Sequence, residues 1–327
     1  MNTHDHFLQS TKGARGGIEL RLGELVPESP KSLYDPIRYI LASGGKHIRP
    51  LLTYLASRSS PDADWLPAAC AVELLHNFTL VHDDIMDNAR TRRGQPTVHE
   101  KYDVNTAILA GDAIVALAEE SLSSGKYELA SEMMSEFAYG FRLVCEGQAY
   151  DKEFELRSDV TAEDYLRMID LKSAKMLELA AVLGAYSAGG ENVEEVRTFA
   201  HHTGIAFQIR DDLLDLTALD EASFGKTIGG DILEGKRTYL FVTAMESFDE
   251  LSSHDEEMLL RIQEKKATAH DIHHAKKLFT ELGVIRKAHD AIEEETMTAR
   301  RSLEQIRSRE VREGLMQFGE YLLGRMY

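Results

Sequence analysis

The sequence predicts an all-α protein, and three observations support that fold class. All seven prolines lie between Pro27 and Pro96, so the rest of the 327-residue chain continues without the strongest helix breaker. Apolar residues recur at steps of three and four in several long segments, which is the period of an amphipathic helix. No alternation of apolar and polar residues bounded by turn residues indicates a convincing strand. The expected architecture is a bundle of helices.

The helical segments can be read off in order. In the first of them, Ala69, Val72 and Leu75 fall at helical steps along one face. Thr161 with Asp164 has the pattern of a helix N-terminal cap, and the small residues at 187–190 predict a helix end. The predicted helices are Leu66–Asp87, Thr106–Leu122, Tyr127–Leu156, Ala162–Tyr186, Val193–Asp215 and Thr238–Phe248.

Nothing in the composition divides the chain. There is no linker-like shift in composition and no repeat of fixed period, so we expect a single domain over residues 1–327. The chemical motifs described below fall within about 44–240. The last part, roughly 252–327, is richer in charge and predicts surface helices whose alternating charges face solvent.

Composition and charge exclude several classes of function. Lys and Arg number 37 against 55 Asp and Glu, a formal net charge of −18, so nucleic acid is not an expected partner. With 43% apolar and 28% charged residues, the chain has the composition of a soluble globular protein. The longest apolar stretches, Ala68–Val81 and Thr106–Ala118, are shorter than the roughly 18–20 residues of a membrane span. We therefore expect no integral membrane association.

The cysteines and the N-terminus indicate the compartment. Cys70 and Cys145 are too few for a disulfide framework or a four-cysteine zinc site, and both lie in apolar helical contexts. We expect both thiols, and the lone Trp65, in the core. His4 and Asp5 stand where a signal peptide needs an apolar stretch. The expected location is the reducing cytoplasm.

An aspartate cluster ends the first long helical segment. Asp83, Asp84 and Asp87 form the pattern Asp-Asp-x-x-Asp, whose first and last members are one helical turn apart and project on one face. Carboxylates so placed can share a hard cation such as Mg²⁺. The alternative is an acidic helix end in an acidic chain, and one cluster alone does not exclude it.

A second cluster repeats the pattern. Asp211, Asp212 and Asp215 again end an apolar helical stretch. Chance gives one such pattern in about one chain in ten of this length, and two in about one in a hundred. Carboxylates at a helix C-terminus are disfavoured by the helix dipole and by one another, so both clusters reduce stability unless a cation occupies them. We interpret the pair as a metal site.

Two cationic segments flank the first cluster. Lys46 and Arg49 stand at the start of a predicted helix whose first turn contains Pro50, where backbone N–H groups favour an anion. Arg92 and Arg93 lie in a predicted turn just after the cluster, and guanidinium groups match phosphate oxygens. Each segment alone is more often a solvated loop. Beside an aspartate cluster, binding of a phosphate-bearing ligand becomes the favoured interpretation.

Two further patterns do not support a function. Phe224–Thr227 lacks the Walker A pattern, because Asp220 stands where that motif needs a glycine. His270, His273 and His274 have helical metal spacing, but no acidic or thiol partner converges on them in the sequence. We interpret these histidines as a solvated helix face.

The motifs together resemble the trans-isoprenyl diphosphate synthases, also called polyprenyl synthetases, from about Gly44 to Leu240. Leu74–Gly94, LLHNFTLVHDDIMDNARTRRG, is similar to the family's first aspartate-rich motif, and Phe207–Asp215, FQIRDDLLD, to the second. The other matching blocks are Gly44–Pro50, Glu146–Asp151, Leu171–Met176 and Phe224–Leu240. The resemblance implies an all-helical isoprenoid synthase fold around a central apolar cavity, usually as a homodimer.

The resemblance also implies roles for individual residues. Mg²⁺ bridged to an allylic diphosphate would be held by Asp83, Asp87, Asp211 and Asp215, with Asp151 in support. The same diphosphate would be contacted by Arg92, Lys172, Gln208, Lys226 and Lys236. Isopentenyl diphosphate would be held by Lys46, Arg49, His76 and Arg93. Asp84, Asp212 and Ser173 complete the implied catalytic set. His47 stands where the family usually has Arg, and Ser173 where it usually has Thr.

The implied reaction explains these residue types. Breaking an allylic C–O bond releases diphosphate, and Mg²⁺ with Lys and Arg stabilises the charge that develops on it. The metal also allows a protein of negative net charge to bind polyanions. The carbocation must meet the isopentenyl double bond before water does, which requires a closed apolar cavity. The released diphosphate would take the proton, so no nucleophilic side chain is needed.

Product length depends on the depth of the cavity behind Asp83. Each helical turn rises about 5.4 Å, close to one extended isoprene unit. Phe78 stands five residues before Asp83 and the small Thr79 four before it. In the family this combination resembles enzymes that make the twenty-carbon geranylgeranyl diphosphate, which we expect as the main product. Alternatively, Phe78 is simply core, or a residue on a neighbouring helix stops the chain at fifteen carbons.

Two rival functions share the predicted fold. A class I terpene cyclase binds one diphosphate, so Lys46, Arg49 and Arg93 would have no purpose in it. A non-catalytic synthase subunit would not need intact aspartates in both clusters. A farnesyl or longer-chain polyprenyl diphosphate synthase stays open as an alternative product class.

Overall fold

The computed structural model describes residues 3–218 and 228–324, and helices form nearly all of their regular structure. The all-α fold class is therefore confirmed. The helices are, in chain order, α1 (Thr3–Ser10), α2 (Lys12–Leu25), α3 (Lys31–Ala42), α4 (Ile48–Ala56), α5 (Trp65–Met86), α6 (Val98–Lys101), α7 (Val104–Ser123), α8 (Ala130–Phe154), α9 (Ala162–Ile169), α10 (Lys175–Ser187), α11 (Val193–Thr217), α12 (Gly230–Glu234), α13 (Tyr239–Met245), α14 (Ser253–Gln263), α15 (Ala269–Glu281), α16 (Val284–Leu303) and α17 (Arg309–Leu323).

A short hairpin interrupts the helices between α5 and α6. Its strands are β1 (Thr91–Arg92) and β2 (Gln95–Pro96), paired antiparallel with Arg92 opposite Gln95. The sequence gives no indication of this hairpin. Two-residue strands are too short to show the alternation by which a strand is recognised in a sequence.

The first of two compact units comprises residues 1–141, 176–197 and 303–324. Helix α5 packs along α7 and against α4, while α17 packs on α1 and α4. The buried side of α5 is lined mostly by small and aliphatic residues such as Ala68, Val72 and Leu75. At the other end of α5, a Cβ added to Gly111 of α7 would lie only 2.2 Å from His82 Nε2. That glycine lets the two helices approach closely where the first aspartate cluster stands.

The second unit comprises residues 142–175 and the described part of residues 198–302. Its core contains Ile205, Ile209 and Leu213 of α11. Phe241 of α13 and Phe279 of α15 belong to the same cluster of buried apolar residues. Helices α14 and α15 pack on each other within this unit. The helices after residue 252 therefore each have a buried apolar face as well as the exposed, charged face that the sequence predicts.

One predicted helix, Ala162–Tyr186, is interrupted. It begins with the predicted cap, in which the Asp164 N–H donates to Thr161 Oγ1 at 3.1 Å. Helix α9 then stops at Ile169, and Asp170–Ala174 form a π-helical turn before α10. A π turn accommodates an extra residue in a helix and is frequent at functional sites. The end of α10 at Ser187, followed by two glycines with positive φ, agrees with the prediction.

Burial of the cysteines differs from expectation in one case. Cys70 is buried in α5, as predicted, but Cys145 is exposed on α8, so its placement in the core is wrong. The adjacent Leu143 and Val144 take the inward positions of that helix turn. Trp65 is half-buried and packs its ring against Tyr54, with centroids 4.8 Å apart. No helix in the described ranges is long and apolar enough to cross a membrane.

Candidate active site

A cleft of about 440 Å³ opens in the first unit where the chain enters α4. Its lining includes Lys46, Arg49, His76 and Arg93, the four residues that the sequence analysis assigned to isopentenyl diphosphate. They come from the α4 entry, α5 and the hairpin turn. The structure therefore brings together four residues that are spread over nearly fifty positions of the sequence.

The link between α3 and α4 and the turn of the hairpin build this cleft. Gly44, with φ of +72°, lies in that link. Arg93 and Gly94, with φ of +52° and +74°, form the two-residue turn of the hairpin, and positive φ at both positions is typical of a type I′ turn. The turn carries Arg93 back over Gly45, where an added Cβ would lie 3.3 Å from both terminal guanidinium nitrogens. Glycine at 45 lets the Arg93 guanidinium lie close to the backbone.

The cleft holds positive charge beside a neutral histidine. Arg49 Nη1 donates to His76 Nε2 at 3.2 Å. Burial, followed by the charges of Arg49 and Arg93, lowers the pKa of His76 well below its ordinary value of about 6.5, so the ring is neutral. Arg49 Nε is buried and has no hydrogen-bond partner in the described part of the chain. A buried donor without a partner costs about 1–3 kcal/mol, which an anionic ligand oxygen would recover.

The first aspartate cluster lies at the C-terminal end of α5, as predicted. Asp83 is half-buried and Asp87 is exposed at the helix end, where its N–H donates to the Asp83 carbonyl. Asp84 instead points inward and is almost completely buried. It accepts from Arg92 Nε at 2.9 and 3.0 Å and pairs with Nη2 at 2.7 Å. Asp84 therefore fixes Arg92, whereas Asp83 and Asp87 stand where a cation could be bound.

The second cluster lies in the last turns of α11. Its middle residue, Asp212, is buried and accepts from three neutral donors: Tyr165 OH at 2.5 Å, the Tyr239 N–H at 2.9 Å and Gln208 Nε2 at 3.2 Å. Burial, and then the nearby Asp231, raise the pKa of Asp212 to about 7. Both clusters therefore use their middle aspartate for internal contacts, but the partners differ in charge.

The last aspartate of this cluster connects to α12. Asp215 Oδ2 accepts from the Asp231 N–H at 3.1 Å, and its carbonyl accepts from the Gly229 N–H at 2.6 Å. Lys236 Nζ lies 3.0 Å from Asp231 Oδ1, so this lysine is held in the same neighbourhood. Lys226, which the sequence analysis also assigned to the allylic diphosphate, lies outside the described residues.

The π turn carries two of the predicted residues. Lys172 Nζ pairs with Asp151 Oδ2 at 2.6 Å, and Ser173 Oγ donates to Gln208 Oε1 at 2.9 Å. A Cβ on Gly147 of α8 would lie 2.4 Å from the Lys172 backbone nitrogen, so the π turn rests directly on that glycine. Consecutive side chains of the turn thereby reach two different helices, α8 and α11.

The residues predicted to set product length lie on α5 in the first unit. Phe78 is half-buried and meets Phe141 of α8 edge to face, with centroids 5.3 Å apart and planes at 90°. Its ring also lies 4.6 Å from that of His82. Thr79 Oγ1 donates to the His76 carbonyl at 2.8 Å, so its small side chain is directed back along the helix.

Comparison with known proteins decides the family. Residues 30–281 match the family model described as polyprenyl synthetase. The chain belongs to the polyprenyl synthetase family. The family predicted from the sequence motifs is thus confirmed, and the protein is a prenyltransferase.

Individual relatives of this polyprenyl synthetase cover most of it. It is 34% identical to a geranylgeranyl diphosphate synthase of Methanosarcina mazei, with 98% of each chain aligned. It is 39% identical to a geranylfarnesyl diphosphate synthase of Natronomonas pharaonis, over 75% of this chain and 78% of that one. The crystal structure of a geranylgeranyl pyrophosphate synthetase from Pyrococcus horikoshii superposes with a TM-score of 0.90, at 32% identity, over 98% and 99% of the two chains.

Sequence reasoning missed several residues of this prenyltransferase that contact the predicted ones. Glu73 lines the basic cleft, Asp231 contacts Asp215, and Phe141 contacts Phe78. Asp231 lay within a matching block between the two named lysines, and Glu73 stands one helical turn before His76. Their positions in the sequence were therefore enough to suggest Asp231 and Glu73 as site residues. Phe141 carried no such signal, because its contact depends on the packing of α8 against α5.

Proposed function

We propose that this protein condenses isopentenyl diphosphate head to tail with an allylic diphosphate in a Mg²⁺-dependent reaction. The reaction releases diphosphate and gives a trans-polyprenyl diphosphate. The supporting observation is the basic cleft of Lys46, Arg49, His76 and Arg93, whose described lining contains no aspartate of either cluster. A chain-elongating enzyme needs such a second diphosphate site, whereas a terpene cyclase does not.

The donor groups in the aspartate clusters fit magnesium. Asp83, Asp87, Asp211, Asp215 and Asp151 offer carboxylate oxygens, which are the hard ligands that Mg²⁺ prefers. The clusters of α5 and α11 lie at helix C-termini, where the helix dipole disfavours uncompensated carboxylates. When bound, Mg²⁺ would stabilise the charge on the departing diphosphate.

The chain's own cations would orient the allylic diphosphate. Arg92 is fixed by Asp84, Lys172 by Asp151 and Lys236 by Asp231, so each cation is held by a carboxylate before substrate arrives. Held donors lose less side-chain entropy on binding than mobile ones. Gln208, held between Ser173 and Asp212, and Lys226 would complete this set.

In the basic cleft, Lys46, Arg49 and Arg93 would bind the diphosphate of isopentenyl diphosphate. Neutral His76 accepts from Arg49 and so orients that guanidinium without adding a charge of its own. The unpartnered Arg49 Nε would donate to a phosphate oxygen. An apolar cavity behind Asp83 would exclude water from the carbocation.

Geranylgeranyl diphosphate is the proposed main product. Phe78, backed by Phe141, presents aromatic bulk five residues before Asp83, where it would stop the growing chain. Relatives named for the twenty-carbon product support this assignment. The relative named for geranylfarnesyl diphosphate makes a product one unit longer the main alternative.

We further propose that the chain is a single domain and that the protein works in the cytoplasm. We also propose that it forms a homodimer. Val104, Ile108 and Leu109 of α7 are 47%, 41% and 60% exposed; Val104 and Ile108 lie about one helical turn apart, and Leu109 follows Ile108 directly. Exposed apolar side chains grouped in this way favour coverage by a second copy. Light scattering at several concentrations would give the mass of a dimer if the proposal is right.

One experiment tests the proposed reaction. Purified protein is mixed with isopentenyl diphosphate, Mg²⁺ and dimethylallyl, geranyl or farnesyl diphosphate, and the dephosphorylated products are separated by chromatography. A twenty-carbon alcohol is the expected main product. A hydrocarbon formed from one allylic diphosphate alone would indicate a cyclase, and no consumption of any substrate would overturn the proposal.

A further inference from the structure

The entry to α4 depends on an unusual backbone conformation at His47. This residue has φ of 47° and ψ of 41°, in the left-handed region, and its side chain does not cap the helix. A non-glycine residue is rarely found there unless its surroundings hold it. His47 lies between Lys46 and the helical turn that carries Arg49, so its conformation sets the direction of both.

Contacts of the His47 ring keep this residue in the left-handed conformation. Its Nδ1 lies 2.9 Å from Glu73 Oε1 on α5, and its Nε2 lies 3.6 Å from Glu19 Oε1 on α2. His47 and Glu73 are both buried, so water competes little for their hydrogen bond. The hydrogen bond to Glu73 thus ties the left-handed turn to α5, and the other side of the ring faces Glu19 of α2.

Glu73 also acts on the cations of the cleft. Of the described residues that line the cleft, Glu73 alone is acidic. Burial lowers the pKa of Arg49 and of Arg93, and in both cases the charge of Glu73 opposes that shift. One buried carboxylate therefore accepts the His47 hydrogen bond and offsets the repulsion between two arginines.

We propose that His47 and Glu73 form a positioning pair that holds Lys46 and Arg49 in the arrangement needed to bind the diphosphate of isopentenyl diphosphate. The inference rests on the proposed function of the cleft. The pair acts before substrate arrives, by keeping the left-handed turn in place and the cations together. Neither residue is required to touch the substrate.

The test uses two substitutions at His47 that both permit the left-handed backbone but remove the contact with Glu73. His47→Gly removes the ring but permits the left-handed backbone without strain, and His47→Asn tolerates the same backbone with a side chain too short to reach Glu73. For both variants we expect the dissociation constant and the KM for isopentenyl diphosphate to rise about tenfold, the equivalent of one buried hydrogen bond to a charged group. The KM for the allylic diphosphate should stay within about twofold.

Partner and rescue variants separate positioning from folding. Glu73→Gln keeps the size and an acceptor oxygen, and adding it to His47→Gly should weaken binding less than the sum of the two single effects. His47→Arg restores a donor for Glu73 and should return the KM for isopentenyl diphosphate towards that of the wild type. The matched control is Glu100→Gln, which alters an exposed glutamate 3.9 Å from His99 and should leave both KM values unchanged.

The outcomes distinguish this inference from the proposed reaction. Wild-type protein that neither binds nor condenses isopentenyl diphosphate would overturn both. A wild type that condenses its substrates while His47→Gly and His47→Asn bind isopentenyl diphosphate within twofold of it would overturn the positioning pair alone. Equal losses for both substrates, or no recovery in His47→Arg, would show a general structural role and also overturn the pair.

Discussion

Arg92 contacts both carboxylate oxygens of Asp84, with its Nε 2.9 Å from Oδ1 and 3.0 Å from Oδ2. The Asp84 side chain is 1% exposed, whereas that of Arg92 is 32% exposed. The middle residue of the first aspartate cluster therefore has an internal structural role. Its ion pair with Arg92 holds a side chain that is partly exposed at the surface. Its counterpart Asp212 is equally internal but is held by neutral donors.

The first prediction separates the roles of neighbouring aspartates. Asp84→Asn should lower the free energy of unfolding by about 2 kcal/mol, because it leaves Arg92 without its charged partner. Asp83→Asn should leave stability unchanged or raise it slightly, since it removes a carboxylate from a helix C-terminus. Urea unfolding measures the first effect. Steady-state kinetics should show a loss of kcat of at least about a hundredfold for Asp83→Asn.

The second prediction concerns metal dependence. Because the clusters provide carboxylates suited to Mg²⁺, we expect chain elongation to stop in excess chelator and to return when Mg²⁺ is added. Mg²⁺ together with a diphosphate should also raise the Tm of the wild type, because a ligand that binds the folded state stabilises it. Asp83→Ala and Asp211→Ala should lose that rise in Tm. Near-normal elongation by chelated enzyme would contradict the metal assignment.

The third prediction distinguishes the two diphosphate sites. Lys46→Ala and Arg93→Ala should raise the KM for isopentenyl diphosphate about tenfold or more, since each removes a charge-assisted contact. Lys226→Ala should mainly raise the KM for the allylic substrate. Both constants are obtained by varying one substrate at saturation of the other. Equal effects on the two substrates would count against the assignment.

The fourth prediction follows from the neutral His76. Its pKa in the folded state lies well below that in the unfolded chain, first because of burial and then because of Arg49 and Arg93. The unfolded chain therefore binds more protons at this residue, so the stability it contributes is present above about pH 6.5 and declines as the pH falls below that value.

Chemical denaturation at several pH values checks this sign. Between about pH 6.5 and 5, the free energy of unfolding of His76→Gln should fall less steeply than that of the wild type. His289→Gln, which changes an exposed histidine of α16, is the matched control and should keep the wild-type slope. The assignment would be wrong if His76→Gln and His289→Gln followed the same curve.

The fold class and the motif helices could be predicted from the sequence because they depend on local patterns. The aspartate clusters fall at the ends of α5 and α11, where periodicity placed them. The basic cleft followed from residue types and from the family resemblance. All four of its predicted residues line one cleft of the structure.

Features set by packing between distant segments could not be predicted in the same way. The π turn at Asp170–Ala174 depends on Gly147, which lies more than twenty residues earlier on another helix. The His47–Glu73 hydrogen bond joins positions 26 residues apart, and nothing in either local sequence specifies it. Cys145 was misplaced because an apolar context does not show which residue of a helical turn faces inward.

The fifth prediction concerns the length of the product, which tests Phe78 and Phe141 together. Phe78→Ala should deepen the proposed cavity and shift the main product from twenty to twenty-five or more carbons. Phe141→Ala should also lengthen the product, but by less, since it removes only the ring that supports Phe78 edge to face. Phe137→Leu, one helical turn before Phe141 and buried in the core, is the matched control and should keep the twenty-carbon product.

The geometry of α5 sets the size of that shift. Five residues of helix span about 7.5 Å, so Phe78 stands roughly one and a half turns behind Asp83. One further isoprene unit needs about one more helical turn of depth, and removing an aromatic ring from a packed site opens space of that order. Chromatography of dephosphorylated products gives the length distribution. An active Phe78→Ala enzyme with an unchanged distribution would place the floor of the cavity at another residue.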